Sequence, residues 1–123
     1  MKKYISKGQV EDAISSAMVK FEAEYMGRGP QEIKTYIIDD IIFVRLKGVL
    51  TVAEKNLSKE VEGKMLVKQT RVRLLENARK LLEVIVENIT GSKVVSLHTD
   101  VSTNTGERVI IFTMSENISK RFK

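Results

Sequence analysis

One stretch limits every fold this chain can adopt. Residues Thr51 to Thr90, TVAEKNLSKEVEGKMLVKQTRVRLLENARKLLEVIVENIT, carry a helical pattern along most of their length. Thr51 and Glu54 have the T-x-x-E spacing of a capping box, which satisfies two orphan amide donors at a helix start. Leu74, Ala78, Leu81, Leu82, Ile85 and Ile89 recur at helical spacing. Gly91 follows Thr90, where a left-handed C-terminal cap favours glycine. A straight helix from Val52 to Thr90 would be about 58 Å long at about 1.5 Å per residue. A compact chain of 123 residues has a radius of gyration of only about 14 Å. The helix must therefore break or protrude, and Gly63, in the weakly patterned region 57–64, is the natural break. We expect a short helix from Val52 to about Val61 and a main helix from about Lys64 to Thr90.

The flanking segments supply a sheet for this helix to cover. Ser6 and Gln9 form a possible second capping box, followed by Val10, Ala13, Ile14, Ala17, Met18, Phe21 and Tyr25 on one helical face. Glu11, Ser15, Lys20 and Glu22 are assigned to the opposite, wet face. Gly27-Arg28-Gly29-Pro30 ends that helix. Segments 32–38 and 41–47 are rich in β-branched and aromatic residues and are separated by Asp39-Asp40, a hairpin spacing. Segments 93–101 and 108–114 form a second hairpin through a polar turn containing Gly106. Ser115 is placed to cap a short C-terminal helix through Ile118, with residues 119–123 fraying. The expected fold is a single α+β domain over residues 1–123. Two β-hairpins form a mainly antiparallel sheet in the order α-β-β-α-β-β, with an N-terminal amphipathic helix and a long central helix broken near Gly63. Ile42, Val44 and Leu46 point to one side of their strand while Ile41, Phe43 and Arg45 point to the other. Both sides are apolar near the turn, so the second side calls for a cover, and a homodimer would provide it.

Several chemistries find no support. There is no cysteine, so neither a disulfide framework nor a thiolate nucleophile is available. His98 is the single histidine and alternates with Ser96 and Asp100 on one strand face. One imidazole without a second ligand spacing does not make a metal site, and no nucleophile elbow is present. We expect no enzyme, no metal and no cofactor. The most apolar run, 36–46, is interrupted by Asp39, Asp40 and Arg45 and is too short for a membrane span, which needs about 20 apolar residues.

The formal net charge of +5 favours anionic partners. Two places could meet one. The Gly27–Pro30 turn could aim backbone amides at an anion beside Arg28, or it could be only a helix-to-strand corner, which is the simpler reading. On the main helix Arg71 falls on the same stripe as Leu75, Ala78, Leu82, Ile85 and Ile89, with Lys64 and Lys68 at its margin. Either the basic end of that stripe meets a partner, or its cations snorkel. Nucleic acid would draw on Lys64, Lys68, Arg71, Arg73, Arg79 and Lys80, but Glu60, Glu62, Glu76 and Glu83 dilute the surface and no aromatic platform accompanies it. Arg28, Lys64, Lys68, Arg71, His98, Asp100 and Arg108 are the candidate anion or partner contacts. Gly27, Gly29, Pro30, Gly63, Gly91 and Gly106 are the candidate structural turns.

Three features carry a resemblance: the stretches 27–57 and 67–113, and the amphipathic helix before them. Its most specific parts are Gly27-Arg28-Gly29-Pro30, Leu46-Lys47-Gly48-Val49-Leu50-Thr51 with Ala53-Glu54, and His98-Thr99-Asp100 through Thr105-Gly106-Glu107-Arg108. The chain resembles the MpsC-like family, named for the C component of a Na+-translocating membrane-potential-generating system. The resemblance implies a small soluble accessory protein linked to a membrane system that moves ions or inorganic carbon, and it supplies no catalytic residues. The expected function is a non-enzymatic cytoplasmic accessory or regulatory protein. It would self-associate, a dimer first, and sit at the periphery of a membrane transport complex. The alternative is a basic anion- or nucleic-acid-binding module.

Overall fold

The structure, a computed structural model, describes Tyr4 and residues 6–123. In chain order the elements are α1 (Lys7–Tyr25), β1 (Glu32–Ile38), β2 (Ile41–Lys47), α2 (Val52–Leu57), α3 (Val61–Thr90), β3 (Val94–Val101), β4 (Arg108–Met114) and α4 (Ile118–Arg121). The strands form one sheet in the order β1-β2-β4-β3 with every neighbouring pair antiparallel. The α+β class, the two hairpins and the element order are those expected from the sequence.

Local signals account for most of the boundaries. The Ser6 hydroxyl accepts from the Gln9 amide at 3.2 Å and starts α1. Thr51 and Glu54 complete the reciprocal capping box at the start of α2. Gly91 closes α3 in the left-handed region with φ 72°. The inner sheet face buries Ile42, Val44, Leu46, Leu97, Ile110 and Phe112 against Ile14, Met18 and Phe21 of α1 and Leu75, Leu82 and Val86 of α3. Each such side chain contributes about 1.5–3 kcal/mol on burial, which makes this layer the main source of stability.

The long helical stretch does break near Gly63, but the break falls earlier, at Ser58–Glu60, and Gly63 lies inside α3. The reason is steric. A Cβ built on Gly63 would stand 1.7 Å from the Leu57 carbonyl oxygen. Glycine lets the first turn of α3 press against the end of α2, and the chain turns just before that contact.

The C-terminal segment also departs from expectation. Asn117, not Ser115, caps α4, accepting from the Lys120 amide at 2.9 Å. Residues 119–123 do not fray: the Asp39 carbonyl accepts from the Ile118 and Ser119 amides, and Phe122 is buried. The β1–β2 turn thus holds the segment that the sequence alone leaves unanchored.

Both sheet edges are occupied by side chains from the helices. On β1 the Ile37 amide donates to Glu11 Oε2 at 2.8 Å, and the Ser15 and Thr35 hydroxyls share a hydrogen bond at 2.7 Å. On β3 the Val94 amide donates to Glu87 Oε2 at 2.9 Å, and Arg79 donates to the Leu97 carbonyl at 3.3 Å. The outer face is different. Tyr36, Phe43, Ile111 and His98 lie in one cross-strand row, with Ile38, Ile41, Thr113 and Ser96 beside them. Tyr36 is 41 % exposed and Ile38 57 %.

The Gly63 contact makes a direct prediction. Gly63→Ala should destabilise the protein by about 1–3 kcal/mol, the usual cost of overpacking. Gly29→Ala should be nearly neutral, because its Cβ would meet Val19 only at 3.6 Å. Urea denaturation of both variants against the parent protein checks this; equal midpoints for Gly63→Ala and the parent would show that α2 and α3 are not in this contact.

Candidate functional site

The inner layer contains charges. Glu22 on α1, Arg71 on α3 and Arg108 on β4 are essentially fully buried. Arg71 makes a bidentate pair with Glu54: Nε donates to Oε2 at 2.7 Å and Nη2 to Oε1 at 2.8 Å. Nη2 also donates to the Val49 carbonyl at 2.9 Å. The remaining nitrogen, Nη1, stands 3.5 Å from Glu22 Oε1, and Arg108 Nη1 stands 3.5 Å from Glu22 Oε2. Two carboxylates and two guanidiniums therefore balance in charge. The pairing is uneven: both Glu22 oxygens, Arg71 Nη1 and Arg108 Nε and Nη1 have no hydrogen-bond partner. Buried polar atoms left in this state are uncommon and costly.

The environments push these groups apart. Burial raises the Glu22 carboxyl, and Arg108 and Arg71 offset this only in part. Burial also raises Glu54, but the Arg71 hydrogen bonds, the Thr51 amide and the Arg71 charge outweigh it and hold that carboxyl below its usual range. Burial lowers Arg108 more than Glu22 restores it.

A cleft of about 790 Å³ lies next to α2, whose Glu54 belongs to this network. Its walls are the start of β1, the end of β2, α2, the first turn of α3 and the β3–β4 turn. Arg45 and Lys47 line it, paired with Glu107 at 2.7 Å and Glu32 at 4.0 Å. Lys55 and Lys64 line it without a carboxylate partner among the described residues. Ser58 stands in the same wall, 7 % exposed, and its hydroxyl has no partner. The Arg71–Glu54 clamp lies directly behind: it ties α2 and the loop at Val49 to α3, and so sets the distance between Lys55 and Lys64.

The candidate contact residues scatter. Arg71, expected to face a partner or to snorkel, and Arg108, expected to contact an anion or partner, are buried, because Glu54 and Glu22 supply counter-charges that no local pattern reveals. Lys68 pairs with Asp100 at 3.4 Å across the α3–β3 junction. His98 is exposed on the outer sheet face. Arg28 donates to the carbonyls of Gly29 and Leu50, so Gly27–Pro30 is a pinned corner, with Gly27 at φ 95° and Gly29 outside the positive-φ region. Lys64 alone lines the main cleft. Glu22 was assigned to the wet face of α1, yet it is fully buried. The signal was present: Val10, Ile14, Met18 and Glu22 follow strict i+4 spacing, and all are buried. Among the described residues no cluster of three or more His, Cys, Asp or Glu is arranged to hold a metal ion.

Two predictions follow from the network. Glu22→Leu should cost about 3–5 kcal/mol, since it leaves Arg108 buried and unpaired, whereas Glu22→Leu with Arg108→Met should recover most of that loss. Urea denaturation reads both, and additive losses in the double variant would mean the pair is not coupled. The second concerns pH. A raised Glu22 carboxyl contributes stability that is full below its ordinary value of 4.5 and is lost as pH rises through its folded value. A depressed Glu54 contributes stability present above 4.5 and lost as pH falls through its folded value. Relative to the parent protein, Glu22→Gln should therefore gain stability as pH rises from acid to neutral, and Glu54→Gln should lose it. Slopes of the same sign in the two variants would contradict these environments.

Comparison with known proteins places the chain. It is 44 % identical over 118 residues to the uncharacterized protein YbcI of Bacillus subtilis, covering 96 % of this chain and 95 % of that one. It is 25 % identical over 103 residues to the uncharacterized protein YrhF of the same organism, covering 83 % and 84 %. No solved structure matches it. The sequence model of the family described as "Na+-translocating membrane potential-generating system (MpsC)" matches residues 6–116, and the chain belongs to that family.

Proposed function

We propose that this protein is a non-catalytic accessory component that works by surface contact, in the cytoplasm and beside a membrane transport complex, and that it does so as a homodimer. The observation that carries this is the outer face of the sheet. Tyr36, Ile38 and Ile41 are exposed there beside Phe43 and Ile111, and the Tyr36 and Phe43 rings meet edge-on with centroids 6.2 Å apart. Contiguous apolar surface of this kind marks contact sites on soluble proteins.

A second copy is the occupant we favour. Glu11 takes a backbone group on the β1 edge, and Glu87 and Arg79 take two on the β3 edge, which disfavours strand addition and favours face-to-face association. Among the strand residues of the outer face, charge gathers at the end where Lys34 and Arg45 pair in register and Glu32 and Lys47 follow. At the other end the strand row of Ile38, Ile41, Thr113 and Ser96 is neutral, with the exposed Asp39-Asp40 turn beyond it. A two-fold axis that stacks the neutral ends buries the apolar rows and leaves the charged rows in water. The family description supplies the link to a membrane system. Among the described residues no helix is long and apolar enough to cross a membrane, so in this proposal the link is made through contact with another chain.

Sedimentation equilibrium over a wide protein concentration range tests the dimer. The parent protein should show twice its 14.0 kDa mass, and Ile38→Lys with Phe43→Glu should show the monomer mass with an unchanged circular dichroism spectrum. A monomer mass for the parent at every concentration would overturn the proposal. Recovery of a membrane protein with the tagged parent, but not with the double variant, would connect the same face to the complex.

A further inference from the structure

We infer that the cleft between α2, the start of α3 and the β3–β4 turn binds a small phosphorylated oxyanion. This is a second site, distinct from the outer sheet face and independent of the dimer. Within a cleft of about 790 Å³, Arg45 and Lys47 have acidic neighbours in Glu107 and Glu32. Lys55 and Lys64 do not, which leaves two uncompensated cations in its walls. Cavities of this size are in the usual range for small ligands.

Three features turn a basic depression into a built site. The Ser58 hydroxyl is buried in the wall without a partner, and a buried hydroxyl wants one. Lys64 brings the first turn of α3 into the same wall, and although Glu60 and Glu62 offset part of the positive end of this 30-residue helix, Glu60 makes no side-chain cap there. The geometry is also held. Gly63 seats α3 against the Leu57 carbonyl, and the Arg71–Glu54 clamp fixes α2 from behind. Lys55 and Ser58 are thereby fixed against Lys64 before any ligand arrives, which reduces the ordering cost of binding.

The lining also limits what the ligand is. The cleft contains no aromatic side chain on which a nucleobase could stack. Two ammonium groups and a hydroxyl match the oxygens of a phosphate or pyrophosphate group. Glu32 and Glu107 also line the cleft, beside Lys47 and Arg45, so the ligand must be compact enough to meet the lysines without meeting these acids. That favours a small phosphorylated compound over a nucleic-acid strand, whose backbone would run past both acids.

Isothermal titration calorimetry at low salt tests the site, with inorganic phosphate, inorganic pyrophosphate and a short single-stranded oligonucleotide as probes. Pyrophosphate should bind saturably, more tightly than phosphate, and should weaken as salt is raised. Lys55→Gln with Lys64→Gln should weaken it by about tenfold or more, and Ser58→Ala should weaken it less. Lys80→Gln with Lys93→Gln, which removes equal charge outside the cleft, should leave it unchanged. No saturable binding of phosphate or pyrophosphate, an equal loss in the Lys80/Lys93 variant, or binding of the oligonucleotide alone would each overturn the assignment. Sedimentation reads the dimer separately, so failure here leaves the outer face untouched, and the reverse also holds.

Discussion

The clamp between Arg71 and Glu54 is the contact on which the rest of the arrangement depends. Glu54 already closes the capping box of α2 through Thr51, so one carboxylate both starts that helix and binds it to α3. The third Arg71 donor contact, to the Val49 carbonyl, extends the same hold to the loop leaving β2. Three segments that are separate in the sequence thus become one wall. Without the clamp, the short α2 would have little to keep it in place, since none of its residues is itself buried.

Burying this network has a cost as well as a use. Desolvating a carboxylate and two guanidiniums is expensive, and ion pairs in a core seldom add net stability over apolar packing. The Glu22 contacts at 3.5 Å are looser than those of Glu54 and leave several polar atoms without hydrogen bonds. The aliphatic layer of Ile14, Met18, Leu75, Leu82, Ile110 and Phe112 provides the stability that tolerates this. The network provides geometry: it makes one placement of α1, α3 and β4 electrically acceptable and penalises shifts that would separate the charges.

The sheet divides the molecule into two surfaces of different character. One face is closed by helices, whose side chains also occupy both sheet edges. The other stays open, apolar at one end and charged at the other. The cleft lies where the charged end meets α2 and α3, so the surface proposed for protein contact and the site proposed for an oxyanion meet at Arg45, Lys47 and Glu32 without sharing their defining residues.

Much of this was legible in the sequence wherever local chemistry decides conformation. The β1, β2 and β4 boundaries, the Thr51–Glu54 capping box and the Gly91 cap follow from alternation, hydroxyl–amide spacing and glycine's access to positive φ, each settled within a few residues. The break in the long helix followed from length, but its position at Ser58–Glu60 did not, because it depends on the Leu57 carbonyl pressing on Gly63. A short C-terminal helix was expected, but from Ser115 rather than Asn117 and without an anchor, since the Asp39 carbonyl that holds it lies at a distant hairpin turn. Arg71, Arg108 and Glu22 show the limit most clearly. Periodicity placed Arg71 on the buried stripe, but only the folded chain brings Glu54 and Glu22 to it, and a charge is buried or exposed according to counter-charges that tertiary structure delivers. Sequence by itself determined the elements, their order and the apolar faces, because those depend on neighbouring residues. Tertiary structure alone decided which charges are buried, where the helix breaks and where the cleft lies, because each of these depends on atoms far apart in the chain.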